Sequence, residues 1–187
     1  MVDGGENKEQ EGWIHSKTMR VLGIDCGTEV TGWGVLESDP AARSPMLVCL
    51  GYGVVRLAKQ KTLPERLRQV FEELSEQMRQ YAPDVVAIEE VFYSVNAKSA
   101  LKLGQVRGVA LLAAGTAELP VAEYAPLSIK SAVVGYGLAG KEQVQFMVTR
   151  LLALDKQPEP ADAADALAIA ICHLHTAETQ AMQQGGR

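Results

Sequence analysis

Near Leu63 the hydrophobic period of this chain changes, and few folds accommodate the change. Upstream, Arg20–Asp25 is a short apolar run, Thr31–Leu36 alternates through Trp33 and Val35, and Leu47–Leu57 is rich in Val, Leu and Tyr. Such runs predict strands, and the short links between them predict an antiparallel meander. Downstream, Leu63, Leu67, Val70, Phe71, Leu74, Met78 and Tyr81 recur at spacings of three and four, the pattern of an amphipathic helix. Thr62 with Glu65 is a capping-box signal at its start, and Pro83 ends it. Val85–Glu89 then reads as a short buried strand, Ala97–Ala117 as a long helix and Val121–Tyr124 as another short strand. Helices follow near Leu127–Val134, Lys141–Leu152 and Asp162–His175. Strands that alternate with helices run parallel. The expectation is an α/β protein with a five-stranded mixed sheet, three antiparallel strands then parallel ones, flanked by helices.

The 187 residues suit one domain, and 47% hydrophobic residues supply its core without disulfides. Cys26, Cys49 and Cys172 form no C-x-x-C pair, which excludes zinc ribbons and thioredoxin-type redox motifs. Reduced thiols in a cytoplasmic protein are the simplest account. No apolar run reaches the roughly 18 residues of a membrane span. Residues 1–18 are polar, aperiodic and expected to be disordered, with Met19 a candidate physiological start. Residues 19–176 are the expected folded domain, and residues 177–187 a flexible polar tail. The net charge of −5 argues against a nucleic-acid partner only if charge is spread evenly. It is not: residues 1–18 sum to −2, whereas residues 92–141 sum to +3 through Lys98, Lys102, Arg107, Lys130 and Lys141.

Carboxylates fall at telling places. Asp25 ends the first strand and Glu89 the fourth, and ligands of mixed α/β sheets gather at the carboxyl ends of strands. Each has a plainer reading, Asp25 as a turn-initiating residue and Glu89-Glu90 as a solvated loop. In Ala161-Asp-Ala-Ala-Asp-Ala-Leu-Ala-Ile-Ala-Ile171, Asp162 and Asp165 lie one turn apart on a helix that is apolar on nearly every side. Capping accounts well for one of them and the helix dipole less well for the second. A buried carboxylate otherwise needs a partner or a metal. Asp25, Glu89, Asp162 and Asp165 therefore form a candidate all-oxygen ligand set. His173 lies about 16 Å further along the helix and is, with His175, expected at the surface. All-carboxylate ligation suits Mg²⁺ or Mn²⁺, and the matching chemistry is two-metal phosphoryl transfer.

The strand–Asp-x-Gly opening, the Ala-Ile-Glu-Glu-Val-Phe segment, Ser99-Ala-Leu-Lys-Leu-Gly-Gln-Val-Arg-Gly108 and the Asp-Ala-Ala-Asp-Ala helix together resemble the RuvC family of bacterial Holliday-junction resolvases. The resemblance spans Val21–His175. It implies a ribonuclease H-like fold, a homodimer, Mg²⁺ dependence and paired nicking of four-way DNA junctions in recombination and repair. It also implies RuvA and RuvB branch-migration proteins as partners. The family's catalytic acids map onto Asp25, Glu89, Asp162 and Asp165, and its phosphate-facing lysines onto Lys130 and Lys141. Its junction-facing aromatic maps onto Phe92, with Tyr93 beside it, although a core role would serve Phe92 equally. Cys26 stands where many members have Pro. A short match of Leu22-Gly-Ile-Asp-Cys-Gly-Thr28 to the phosphate loop of actin-like ATPases and sugar kinases is the competing reading, but such proteins need two such domains. A non-catalytic relative that keeps the fold is the third.

Lys98, Lys102 and Arg107 are candidates for DNA contact or for a solvated helix face. Gly104 and Gly108 lie four apart on the same helix. The resemblance places the dimer interface there, and close packing within the chain is the alternative.

Overall fold

The computed structural model describes residues 18–39, 46–90 and 97–185. Three strands, β1 (Met19–Asp25), β2 (Val30–Ser38) and β3 (Val48–Arg56), form the antiparallel meander. They are followed by α1 (Leu63–Tyr81), β4 (Val85–Glu89), α2 (Ala97–Thr116), β5 (Val121–Tyr124), α3 (Pro126–Val134), α4 (Lys141–Leu151) and α5 (Ala161–Gly185). The sheet order is β3-β2-β1-β4-β5, with β4 parallel to both β1 and β5. This is the mixed sheet that the periodicity predicts.

Side-chain alternation splits the core in two. Leu22, Ile24, Val86 and Ile88 face α1 and α2, which contribute Val70, Leu74, Val106 and Ala110. Val21, Val85 and Ala87 face α5, with α3 and α4 behind it. α1 begins with the capping box foreseen at Thr62, whose backbone N–H donates to Glu65 Oε2 at 2.7 Å. It ends at Ala82 in the left-handed region (φ 44°).

Two differences concern α5. Its periodic pattern stops at His175, but the helix runs to Gly185. The added residues, Ala177–Gln184, are mostly good helix formers without proline or glycine, and Thr179 Oγ1 donates to the His175 carbonyl at 2.8 Å. The surface reading of the histidines is also corrected. His173 is half-buried and shares a 2.8 Å hydrogen bond with the Tyr124 hydroxyl, while His175 Nδ1 lies 3.0 Å from the Ala132 carbonyl. His173 thus ties α5 to β5, and His175 ties it to α3.

Candidate active site

The site is built at the carboxyl ends of β1 and β4. Asp25 and Glu89 each stand one step past the last β1–β4 pair, Ile24 with Ile88. Alternation turns Asp25 to the face of Val21 and Gly23, and Glu89 to the face of Val85 and Ala87, so both point toward α5. What lets α5 come to them is the absence of side chains on the strands beneath it. A Cβ on Gly23 would stand 2.1 Å from the Ala166 carbonyl oxygen, and one on Gly32 would stand 1.9 Å from that of Asp162. Gly32 is the cross-strand partner of Asp25. The first turn of α5 therefore rests directly on the backbone next to Asp25. The helix starts at Ala161, so Asp162 lies inside its first turn and is not its cap.

These carboxylates act on one another. Asp25 is pushed up to about 7, first by burial and then by Asp165, Glu89 and Asp162, with Lys141 opposing. Burial and Asp165 also raise Glu89, against Lys130 and Lys141. Lys141 Nζ donates to Asp165 Oδ2 at 2.7 Å, and this bond raises the lysine above its ordinary value. A cleft of about 190 Å³ opens over the group, lined by Asp25, Glu89, Asp165, Lys130 and Lys141. Among the described residues no three acidic, His or Cys side chains are already drawn together as a metal cage. The donor set nonetheless fits a hard cation: Asp25, Glu89 and Asp165 line one cleft, burial first and the neighbouring acids second drive Asp25 toward neutrality, and Lys141 supplies a positive charge.

The other sequence candidates divide. Arg107 is committed within the chain: it ion-pairs with Glu123, and its Nε donates to the Glu89 carbonyl at 3.4 Å. It braces the strand end that carries Glu89. Lys102 is exposed on the same helix, and Lys98 lies at its start. Phe92 and Tyr93 lie outside the described residues. A Cβ on Gly104 or Gly108 would meet no described residue within 4 Å, so neither glycine serves close packing against the described part of the chain. They lie on an outward stripe with Leu101 and Leu112, which are 71% and 60% exposed. Burial pushes the Cys26 thiol up to about 12, with Asp25 adding to it, so Cys26 adds no charge to the site. Sequence reasoning missed Gly23 and Gly32, although glycine inside a strand is a signal of close backbone approach.

The profile of the family described as crossover junction endodeoxyribonuclease RuvC matches residues 21–173. The curated protein of that description from Acidobacterium capsulatum is 64% identical over 169 residues, covering 89% of this chain and 99% of that one. Its counterpart from Koribacter versatilis is 62% identical over 161 residues, covering 86% and 95%. Among solved structures, Thermus thermophilus RuvC superposes with a TM-score of 0.79 at 35% identity, over 87% of this chain and 97% of that one. The same protein in complex with a Holliday junction substrate gives 0.77 at 34% identity, over 86% and 96%.

Proposed function

This chain belongs to the RuvC family of crossover junction endodeoxyribonucleases, and on that premise we propose that the acidic cleft hydrolyses DNA strands at four-way junctions. The fold is ribonuclease H-like and the enzyme is a metal-dependent nuclease of recombination and repair. The observation that carries the assignment is the cleft at the ends of β1 and β4, where Asp25 and Glu89 meet Asp165 of α5 beside Lys130 and Lys141.

Asp25, Glu89, Asp162 and Asp165 would hold Mg²⁺, two ions per site, with Mn²⁺ able to substitute. Bound there, such cations supply a water of lowered pKa for in-line attack on phosphorus and neutralise charge on the departing 3′ oxygen. The chain's residues do the rest. Lys130 and Lys141 face the cleft and orient the scissile phosphate. Lys141 bonds Asp165 through Oδ2, which leaves Oδ1 of that carboxylate for a cation. Arg107 fixes the backbone of Glu89 from the opposite side. The products carry 5′-phosphate and 3′-hydroxyl ends. Phe92, with Tyr93, stacks on unpaired bases and holds the junction centre open.

Two like nicks require two sites related by a two-fold axis, which a four-way junction matches. The outward stripe of α2 through Gly104 and Gly108 is the seam proposed for the homodimer, and RuvA and RuvB are the partners proposed for it. The test is cleavage of a synthetic four-way junction with and without Mg²⁺. Wild type cuts two opposed strands only with the metal, whereas Asp25→Asn folds and does not cut. Cleavage by Asp25→Asn at near wild-type rate refutes the assignment.

A further inference from the structure

A groove of about 500 Å³ runs between the C-terminal ends of α1 and α2. Its lining is mostly apolar, with Met78, Pro83, Ala113, Ala117 and Leu119, and the exposed Arg79 borders it. Pro83 and Leu119 lead into β4 and β5, so the groove lies at the amino ends of those strands, opposite the end that carries Glu89. β1 enters the sheet at this same corner. The Arg20 N–H donates to Asp84 Oδ2 at 2.8 Å, and the Asp84 N–H donates to the Arg20 carbonyl at 2.9 Å. Arg20 Nη1 donates to the Tyr81 carbonyl at 3.0 Å, on the face of the sheet that α1 covers. The chain that precedes Met19 therefore joins the sheet beside Pro83.

An apolar groove open to water invites an apolar occupant. Residues 3–18 are polar except for one pair of large apolar side chains, Trp13 and Ile14, five residues ahead of Thr18. Five extended residues span up to about 17 Å, so the pair can reach a groove that begins beside Pro83. The charges also match: residues 1–18 sum to −2, and Glu11 stands two residues ahead of Trp13 while Arg79 borders the groove. The family profile begins at residue 21, so this segment lies outside the matched domain. We propose that Trp13 and Ile14 dock in the groove between α1 and α2 and latch the N-terminal segment across the C-terminal ends of both helices. Burial of the indole outweighs the ordering of a short link by a modest margin. The latch clamps the end of the molecule remote from the cleft, and it stands whether or not the cleft cuts junctions.

The chain has two tryptophans, Trp13 and Trp33, so Trp33→Phe leaves Trp13 as the sole reporter in the full-length protein. Its emission should be shifted to the blue of free indole, and acrylamide should quench it several-fold less than in urea. Ala117→Glu, at an exposed position of the groove, should raise quenching to the urea value. In the otherwise wild-type chain, Trp13→Ser should lower the melting temperature by roughly 2–4 °C. Ala117→Glu should lower it by a similar amount, and the two together by little more than either alone, because both remove the same contact. If Trp33→Phe does not fold, the difference between the spectra of wild type and Trp13→Ser isolates Trp13 instead. Trp13 quenched as readily in the folded protein as in urea overturns the latch. Shielding that persists in Ala117→Glu places the ring elsewhere and overturns the groove as its site. Shielding that fades on dilution assigns the groove to the segment of a second copy, and the intramolecular latch is then wrong.

Discussion

Asp25 carries the largest electrostatic burden in the site, and that burden is measurable without any substrate. Its folded value of about 7 stands above the ordinary 3.8. Below pH 4 the carboxyl is protonated in both folded and unfolded chains, and no penalty exists. Between pH 4 and 7 the unfolded chain releases the proton while the folded one keeps it, so stability falls as pH rises. Above pH 7 the full penalty applies, at most about 4 kcal/mol. Asp25→Asn has no such penalty. Metal-free Asp25→Asn should therefore melt above wild type at pH 8, with the gap closing as the pH is lowered to 4. Mg²⁺ should raise the melting temperature of wild type more than that of the variant. Scanning calorimetry with and without chelator checks both, and a pH-independent gap would show that the acids do not share a site. For Phe92, Ala substitution should leave melting almost unchanged while reducing junction cleavage. A core-sized loss of about 3–5 kcal/mol would instead place the ring in the interior.

At the scale of elements, α5 is the part whose seating decides whether a site exists. Gly23→Ala directs a methyl into the Ala166 carbonyl at 2.1 Å, and backbone cannot yield there as a side chain tip can. The helix must lift from β1, so the variant should lose about 1–3 kcal/mol of stability and most of its cleavage together. Circular dichroism melts and junction cleavage on one preparation test this coupling. The sequence made α5 readable as a buried helix carrying two aspartates, because its apolar pattern is dense and the two acids break it. It did not make the seating readable, because a glycine in a strand announces a close approach without saying which element approaches. The same limit applies to Arg107, whose charge suggested DNA contact but whose Glu123 partner comes from β5, sixteen residues on. It applies to His173 as well, since a hydroxyl 49 residues away in the chain holds it. Periodicity reports the elements, and long-range pairing stays hidden. The mixed sheet, three antiparallel strands then parallel ones, was legible because alternation of strand and helix leaves few topologies. Gly104→Trp on α2 tests the outward stripe: no described residue lies within 4 Å of a Cβ there, so folding should persist while sedimentation shows loss of the proposed dimer.

Over the whole molecule the difficulty is a net charge of −5 on a protein that must hold DNA. The structure keeps Lys130 and Lys141 at the mouth of the acidic cleft and Lys102 on the far side of the same strand ends. Each chain thus presents a few cations around the Asp25 turn, and the homodimer proposed above would double them. Every phosphate neutralised adds about −0.9 to the slope of log affinity against log salt on duplex arms. A dimeric complex should then show a steep slope, and Lys130→Ala should flatten it by nearly two such increments, one per subunit, without altering the melt. A flat slope for wild type would mean that no basic face exists. The symmetry makes a further demand. If each subunit cuts one strand, a dimer of one wild-type and one Asp25→Asn subunit still binds the junction through both sets of lysines but owns one working cleft. On a supercoiled plasmid bearing a cruciform, wild type should give linear product, and purified mixed dimers should give nicked circles. Linear product from mixed dimers would show that one cleft serves both strands, and the two-fold arrangement of α2 against α2 would then lose its reason.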